Sequence, residues 1–109
     1  MSVSPLPPLK SLHIFSIAAK YLNFSKAAEE LCITPSAVSH QIKNLEDWLG
    51  CKLFEKSGKQ LVLTTKAQSF ALQINQSFDQ VREATSEITS YKTNRLQLGV
   101  ASAFAMKRL

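Results

Sequence analysis

The sequence has few residues that interrupt helices. Its 109 residues include only 3 Gly and 4 Pro, and three of the prolines lie within the first eight residues. Because Gly and Pro are the strongest local breakers of regular structure, the chain from Leu9 onward can form long helices. We therefore expect a short extended arm, MSVSPLPP, followed by a mainly helical protein.

Cysteine is scarce, and no long apolar run is present. Cys32 and Cys51 lack CxxC spacing and are expected to be small buried side chains in a reducing cytoplasm. Neither forms a known metal-ligand spacing with His13 or His40, so no metal and no cofactor are expected. No stretch approaches the length of a membrane span, which predicts a soluble, cytoplasmic chain without a membrane partner.

Signatures of catalysis are also missing. The sequence contains no Gly-rich phosphate loop, no Ser-His-Asp setting and no paired carboxylates beside a hydrophobic pocket. The acidic pairs Glu29-Glu30 and Glu46-Asp47 are expected on solvated helix faces, where they balance charge. We therefore predict that the chain is not an enzyme. Its net charge of +5 makes a polyanionic partner worth considering, although charge alone is weak evidence.

Three helices are predicted in the first half. The first covers residues 9–22, with Ser25 as the N-cap of a second helix over residues 26–31. Thr34 and Pro35 are strong start signals for a third helix, which Gly50 should end. Apolar residues at three- and four-residue steps mark the buried faces. They are Leu12, Phe15, Ala19 and Leu22 in the first helix, and Val38, Ile42, Leu45 and Leu49 in the third.

A change of period after Gly50 predicts a small β-hairpin. Residues 53–54 and 61–63 are apolar, and they flank a basic, Gly-containing tip at residues 56–59. Thr64 can then cap a fourth helix, expected over residues 65–92. Together these elements predict a mainly α fold, a winged helix-turn-helix over residues 1–64 followed by a long linker helix.

The fourth helix carries an apolar stripe with nothing after it in the chain to cover it. This favours contact with a second copy of the chain, although the stripe could also fold back on its own domain. The predicted dimerisation residues are Phe70, Ile74, Phe78, Val81, Ile88 and Tyr91. Beyond it, Leu96, Leu98 and Val100 alternate with other residues as in a strand, so residues 93–109 are interpreted as the start of a further domain.

The outer face of the third helix carries the functional prediction. Ser36, His40 and Lys43 lie opposite the buried stripe, with Ser39 at their edge, as in helices that enter the major groove of DNA. The predicted base contacts are Pro35, Ser36, Ser39 and His40, and the predicted backbone contacts are Ser25, Thr34, Lys43, Lys56 and Lys59. The alternatives are an ordinary exposed histidine, a surface pair of Lys43 with Asp47, and a solvated hairpin tip.

Residues 22–64, LNFSKAAEELCITPSAVSHQIKNLEDWLGCKLFEKSGKQLVLT, resemble the N-terminal domain of LysR-type transcriptional regulators. The AAEEL, TPSAVSHQI, LE-x-x-LG and LF elements carry the resemblance at the expected spacings. The opening LPPLKSLHIFSIAAKYLNFSKAAEEL is similar to the subgroup that includes the glycine-cleavage activator. The family carries a larger effector-binding domain after the linker helix, so this chain resembles a form truncated before that domain, without a small-molecule effector site.

The resemblance implies site roles and one departure. Pro35, Ser36, Ser39 and His40 align with groove-facing positions, and Ser25 aligns with a phosphate-contacting hydroxyl. The first 66 residues contain no Arg, and the wing and position 40 carry Lys or His where relatives often have Arg. Since Arg is the usual bidentate reader of guanine, no relative's preferred base is carried over. We expect a homodimer that binds promoter DNA specifically; the alternative is a winged-helix module for protein interaction.

Overall fold

The computed structural model describes residues 5–97, and the side chains among them as far as residue 89. It divides into two units, residues 1–76 and 77–109, which are described separately below. The described elements are α1 (Leu9–Tyr21), α2 (Phe24–Leu31), α3 (Pro35–Leu49), β1 (Phe54–Ser57), β2 (Gln60–Leu63) and α4 (Thr65–Gln97). This order of helices and hairpin confirms the predicted mainly α, winged helix-turn-helix fold with a long helix after it.

The start of α2 differs from the prediction. Asn23, not Ser25, is the N-cap, because its backbone is extended and its side chain accepts a hydrogen bond from the Lys26 N–H at 2.9 Å. Leu22, in the left-handed conformation at φ 51°, ends α1 and turns the chain so that Asn23 reaches this position. Ser25 consequently lies within the first turn of α2, where it is exposed.

The predicted start and end of α3 are confirmed. The Thr34 hydroxyl accepts a hydrogen bond from the Ala37 N–H at 3.1 Å, and Pro35 occupies the first turn. Gly50 ends the helix at φ 79°, and its N–H donates to the Glu46 carbonyl. Val38, Ile42 and Leu45 are fully buried, which fixes one side of α3 against the core.

The hairpin that forms the wing is shorter at its tip than predicted. Its two antiparallel strands pair Phe54 with Leu63 and Ser57 with Gln60, leaving a two-residue turn. Gly58 in this turn has φ +67°, a conformation that Gly adopts without the cost of a Cβ. Lys56 therefore lies within β1, opposite Leu61, while Lys59 belongs to the turn.

An aromatic cluster joins the elements of the first unit. The Phe15 ring lies 5.7 Å from that of Phe54 in β1 and 5.5 Å from that of Phe70 in α4, measured between centroids. Phe54 also packs edge-on against Phe24 of α2 at 5.3 Å. Phe15 has no exposed surface. One phenylalanine thus connects the helical domain, the wing and the first part of α4.

More of α1 is buried than one apolar face predicts. Ile14, Ile17 and Ala18 are buried together with Leu12 and Phe15, because α1 packs against both α2 and α3. Two predicted members of its face are less covered, since Ala19 is half-buried and Leu22 is exposed. The two buried serines are satisfied: Ser11 Oγ donates to Gln41 at 2.7 Å, and Ser16 Oγ to Asn75 at 2.5 Å.

Three further expectations require correction or lie beyond the described residues. Cys32 is exposed at the left-handed end of α2 and Cys51 is half-buried, so neither is the buried side chain expected. The strand expected from Leu96 does not begin there, because α4 continues to Gln97. Leu98 and Val100 lie outside the described residues.

Between residues 5 and 97, no helix is long and apolar enough to span a membrane.

Candidate nucleic-acid interface

The outer face of α3 presents the side chains that the sequence selected for base contact. Pro35, Ser36, Ser39 and His40 are all exposed, while the opposite side of the helix is buried in the core. Their hydroxyl and imidazole groups can donate and accept hydrogen bonds, as contacts to base edges require. The structure therefore brings these four predicted residues together on one accessible helix face.

The rotation of α3 about its axis is fixed by a contact that sequence reasoning missed. Gln41 is half-buried, and its side-chain oxygen accepts a hydrogen bond from the buried Ser11 hydroxyl of α1 at 2.7 Å. Because Gln41 directly follows His40, this bond helps to determine where the imidazole points. A polar residue next to a predicted site residue was the only signal available in the sequence.

Thr34 is engaged at the N-terminus of α3. Its hydroxyl oxygen accepts the Ala37 N–H bond and lies 3.3 Å from the Ser36 hydroxyl. Since one hydroxyl of this pair donates to the other, only one of the two hydrogens can be directed towards a phosphate at a time. Thr34 and Ser36 therefore form one hydrogen-bonding unit at the exposed start of the helix.

Lys43 lies one turn further along the outer face, beside an acidic neighbour. Its Nζ is 3.7 Å from an Asp47 carboxylate oxygen, and the two side chains are 70% and 68% exposed. An ion pair this exposed is worth little, because water and salt screen it. The surface pair anticipated for Lys43 is present, yet it is weak enough for a phosphate to compete with Asp47.

The remaining predicted backbone contacts are also accessible. Ser25 is exposed in the first turn of α2, and Lys56 and Lys59 are exposed on the wing. The lysines stand on two parts of the hairpin, the first on β1 and the second in the turn. Long cationic side chains of this kind are suited to phosphate oxygens.

Glu46 behaves differently from the solvated charge that the sequence predicted. Only 11% of its side chain is exposed. Its carboxylate accepts hydrogen bonds from the backbone N–H groups of Leu53 and Phe54, at 2.8 and 3.4 Å. Glu46 therefore joins the recognition helix α3 to the base of the wing. Its neighbour Asp47 does lie on the exposed face, as expected.

One titratable group outside this face is perturbed. The Tyr21 hydroxyl at the end of α1 donates a hydrogen bond to the Glu30 carboxylate of α2. This bond, with smaller contributions from burial and from the charges of Glu30 and Glu29, raises the pKa of Tyr21 above its usual 10.0. Lys20 also lies 3.9 Å from Glu30, so the contact ties α1 to α2 on the surface.

The predicted dimerisation residues of the first unit are partly used within the chain. Phe70 is half-buried with its ring against Phe15, so it belongs to the domain's own core, and the stripe has to be narrowed there. Ile74 is half-buried as well.

The residues of the second unit differ. Val81 and Ile88 are 56% and 70% exposed, whereas Phe78 is half-buried. The side chain of Tyr91 lies outside those described.

Among the described residues, no group of three His, Cys, Asp or Glu side chains is placed to hold a metal ion. The accessible chemistry of the helix face and the wing consists instead of hydroxyls, one imidazole and ammonium groups. These groups bind anions and base edges rather than cations.

Comparison with known proteins identifies relatives of this domain. Residues 9–68 match the family described as "Bacterial regulatory helix-turn-helix protein, lysR family". The glycine cleavage system transcriptional activator of Escherichia coli K12 is 52% identical over 83 residues, which are 76% of this chain and 27% of that protein. Its Haemophilus influenzae homolog is 44% identical over 95% of this chain and 35% of its own length.

A solved structure matches the whole arrangement of a DNA-binding fragment. The BenM DNA-binding domain, in a complex with catB site 1 DNA, is 29% identical with a TM-score of 0.67. The match covers 86% of this chain and 99% of the BenM chain. This chain spans about a quarter to a third of the length of its curated relatives. With more than half of its residues matched by the family, it belongs to the LysR family of bacterial regulatory helix-turn-helix proteins.

Proposed function

We propose that this chain binds promoter DNA in a sequence-specific manner and regulates transcription. The observation that carries the proposal is the match to nearly all of the BenM DNA-binding domain, whose structure was determined with DNA. The curated relatives are named transcriptional activators, which supports the same role. Neither comparison favours the alternative of a protein-interaction module.

In this proposal α3 enters the major groove with its exposed face. Pro35, Ser36, Ser39 and His40 contact base edges, which distinguish all four base pairs in that groove. The predicted phosphate contacts fix the register of the helix on the duplex. Ser25, Thr34, Lys43, Lys56 and Lys59 make these contacts, with the wing on the backbone or the adjacent minor groove.

We further propose that the chain binds DNA as a homodimer through α4. In the second unit, the described residues 77–97 are all part of one helix, and Val81 and Ile88 are largely exposed on it. A lone helix is marginally stable in water, and burying these side chains against a second copy would stabilise it. A two-fold dimer also matches the symmetry of a palindromic binding site.

The proposal assigns no catalytic step and no effector site to the described residues. Because bacterial promoter DNA lies in the cytoplasm, the chain is expected to act there.

Base readout is tested by binding to the intergenic DNA upstream of the gene and to a scrambled duplex of the same composition. We expect tighter binding to the native duplex. Ser39→Ala/His40→Ala should remove about 1–3 kcal/mol for each good base contact and leave affinity for the scrambled duplex nearly unchanged. Gln76→Ala, at an exposed position of α4, is the matched control. Equal affinity of the unmodified chain for both duplexes would contradict specific readout of this DNA.

Dimerisation is tested by sedimentation equilibrium. Ile88→Lys places a charge on the exposed apolar position and should shift the chain towards the monomer. Glu87→Lys alters the neighbouring exposed position by a larger charge change and should have less effect. An unmodified chain that is monomeric at all concentrations would refute the dimer.

A further inference from the structure

The base of the wing is held by a carboxylate from the helix that precedes it. Glu46 lies in the last turn of α3, and one of its oxygens accepts hydrogen bonds from the Leu53 and Phe54 N–H groups. Its other oxygen is 3.8 Å from the Lys52 ammonium group. A single side chain therefore engages three consecutive residues at the point where the chain enters β1.

The position of Glu46 is unfavourable for α3 itself. A carboxylate near the C-terminus of a helix opposes the negative end of the helix dipole. Its side chain is also largely withdrawn from water, at 11% exposure, and must be compensated by hydrogen bonds. The backbone N–H groups of the wing provide that compensation. The carboxylate thus contributes to the junction between helix and wing rather than to the helix.

The wing depends on this junction for its direction. Among the described residues the hairpin is a sheet of only two strands, and a two-stranded hairpin is at best marginally stable alone. A second attachment comes from the other end, where Thr64 Oγ donates to the Lys52 carbonyl and Thr64 N–H to the Leu53 carbonyl, both at 2.9 Å. Glu46 and Thr64 thus grip the same short segment from opposite sides.

We propose that Glu46 is a positioning residue that sets the angle of the wing relative to α3. This angle brings Lys56 and Lys59 to phosphates beside the groove that α3 occupies. The inference rests on the proposed function only for the presence of DNA. Glu46 itself touches no DNA in this arrangement and acts through the two lysines.

The proposal makes a prediction opposite in sign to simple electrostatics. Removing a negative charge from a DNA-binding protein normally strengthens binding, because less repulsion opposes the phosphates. Glu46→Ala should nevertheless weaken binding, since the wing lysines lose their placement. Glu55→Ala is the matched control: it makes the same charge change on β1, at an exposed side chain. That control should strengthen binding.

The experiment measures fluorescence anisotropy of the full chain with a mixed-sequence duplex of about 30 base pairs across a salt series. Each phosphate contact contributes about 0.9 to the slope of log affinity against log salt, which corresponds to about eightfold in affinity at 0.1 M salt. Glu46→Ala should lower the slope by about one per lost contact and weaken binding by about eightfold. Glu46→Gln, which keeps an oxygen acceptor but not the charge, should fall between Glu46→Ala and the unmodified chain.

A double-mutant comparison separates positioning from a loss of folding. Circular dichroism at the binding temperature verifies that each variant is folded, and Glu46→Gln replaces Glu46→Ala if the latter is not. Lys56→Ala/Lys59→Ala should lower the salt slope in the unmodified chain. The same pair should have little further effect when Glu46 is already replaced.

Three results would overturn the inference. One is stronger binding by Glu46→Ala, as in Glu55→Ala. The second is an equal effect of the lysine pair in both backgrounds, and the third is no effect of that pair on the unmodified chain. If the unmodified chain fails to bind DNA at low salt, the proposed function itself is wrong, which is a distinguishable outcome.

Discussion

Replacing Phe15 should destabilise the whole first unit. Phe15 has no exposed surface, and its ring contacts Phe54 and Phe70 at centroid distances of 5.7 and 5.5 Å. Truncating a buried Phe to Ala costs about 3–5 kcal/mol through lost burial and the cavity that remains. Because two aromatic contacts also disappear, we expect a loss of about 4–5 kcal/mol.

The assay is thermal unfolding followed by circular dichroism at one fixed protein concentration. In a domain of this size, about 1 kcal/mol shifts the midpoint by about 4–8 °C, so Phe15→Ala should lower it by about 16–40 °C. Phe15→Leu, which fills more of the site, should cost less. Leu9→Ala provides the control on the same helix, because Leu9 is 61% exposed.

Coupling between the rings can be measured in the same assay. Phe15→Ala and Phe54→Ala should be non-additive when combined, since each removes the other's contact partner. A shift for Phe15→Ala no larger than that for Leu9→Ala would refute the reasoning. Strict additivity of Phe15 and Phe54 would show that the wing does not share the core of the helices.

Three further perturbations have expected outcomes. Thr34→Ala should lower the free energy of unfolding by about 0.5–2 kcal/mol in a urea titration, because the Ala37 N–H loses its cap, whereas Thr34→Ser should restore most of it. Asp47→Asn should free Lys43 for a phosphate and tighten DNA binding by up to about eightfold at 0.1 M salt; unchanged affinity and salt slope would place the pair away from DNA. The raised pKa of Tyr21 means that its bond to Glu30 stabilises the fold below pH 10.0 and that this contribution disappears as pH rises through the folded-state pKa. Tyr21→Phe should therefore show a shallower alkaline loss of melting temperature, and an identical pH profile would contradict this assignment.

Local chemistry allowed the sequence to predict the helix-turn-helix well. Thr34, Pro35 and Gly50 act through backbone groups within one turn, so the bounds of α3 were predictable from neighbouring residues. The start of α2 was not, because both Asn23 and Ser25 can cap a helix. The left-handed backbone of Leu22 decides between them, and no local signal in the sequence marks a leucine in that conformation.

Contacts between distant segments limited the prediction of the site. The helical period placed Phe70 on an apolar stripe but could not distinguish contact with Phe15 from contact with a partner chain. Glu46 was expected in solvent because its acceptor role arises only when the chain turns back towards α3 after Gly50. The exposed faces of Ser39 and His40 were predictable, since burial of the opposite stripe determines them.

The central claim is that α3 reads DNA sequence, and selection from a random duplex library tests it without assuming any operator sequence. We expect enrichment of a two-fold symmetric sequence whose half-sites are centred about 10–10.5 base pairs, or a multiple of that distance, apart. Ser39→Ala/His40→Ala should change or abolish the enriched bases. Steeply salt-dependent binding with no enriched sequence would contradict the claim, since phosphate contacts alone would then account for all the affinity.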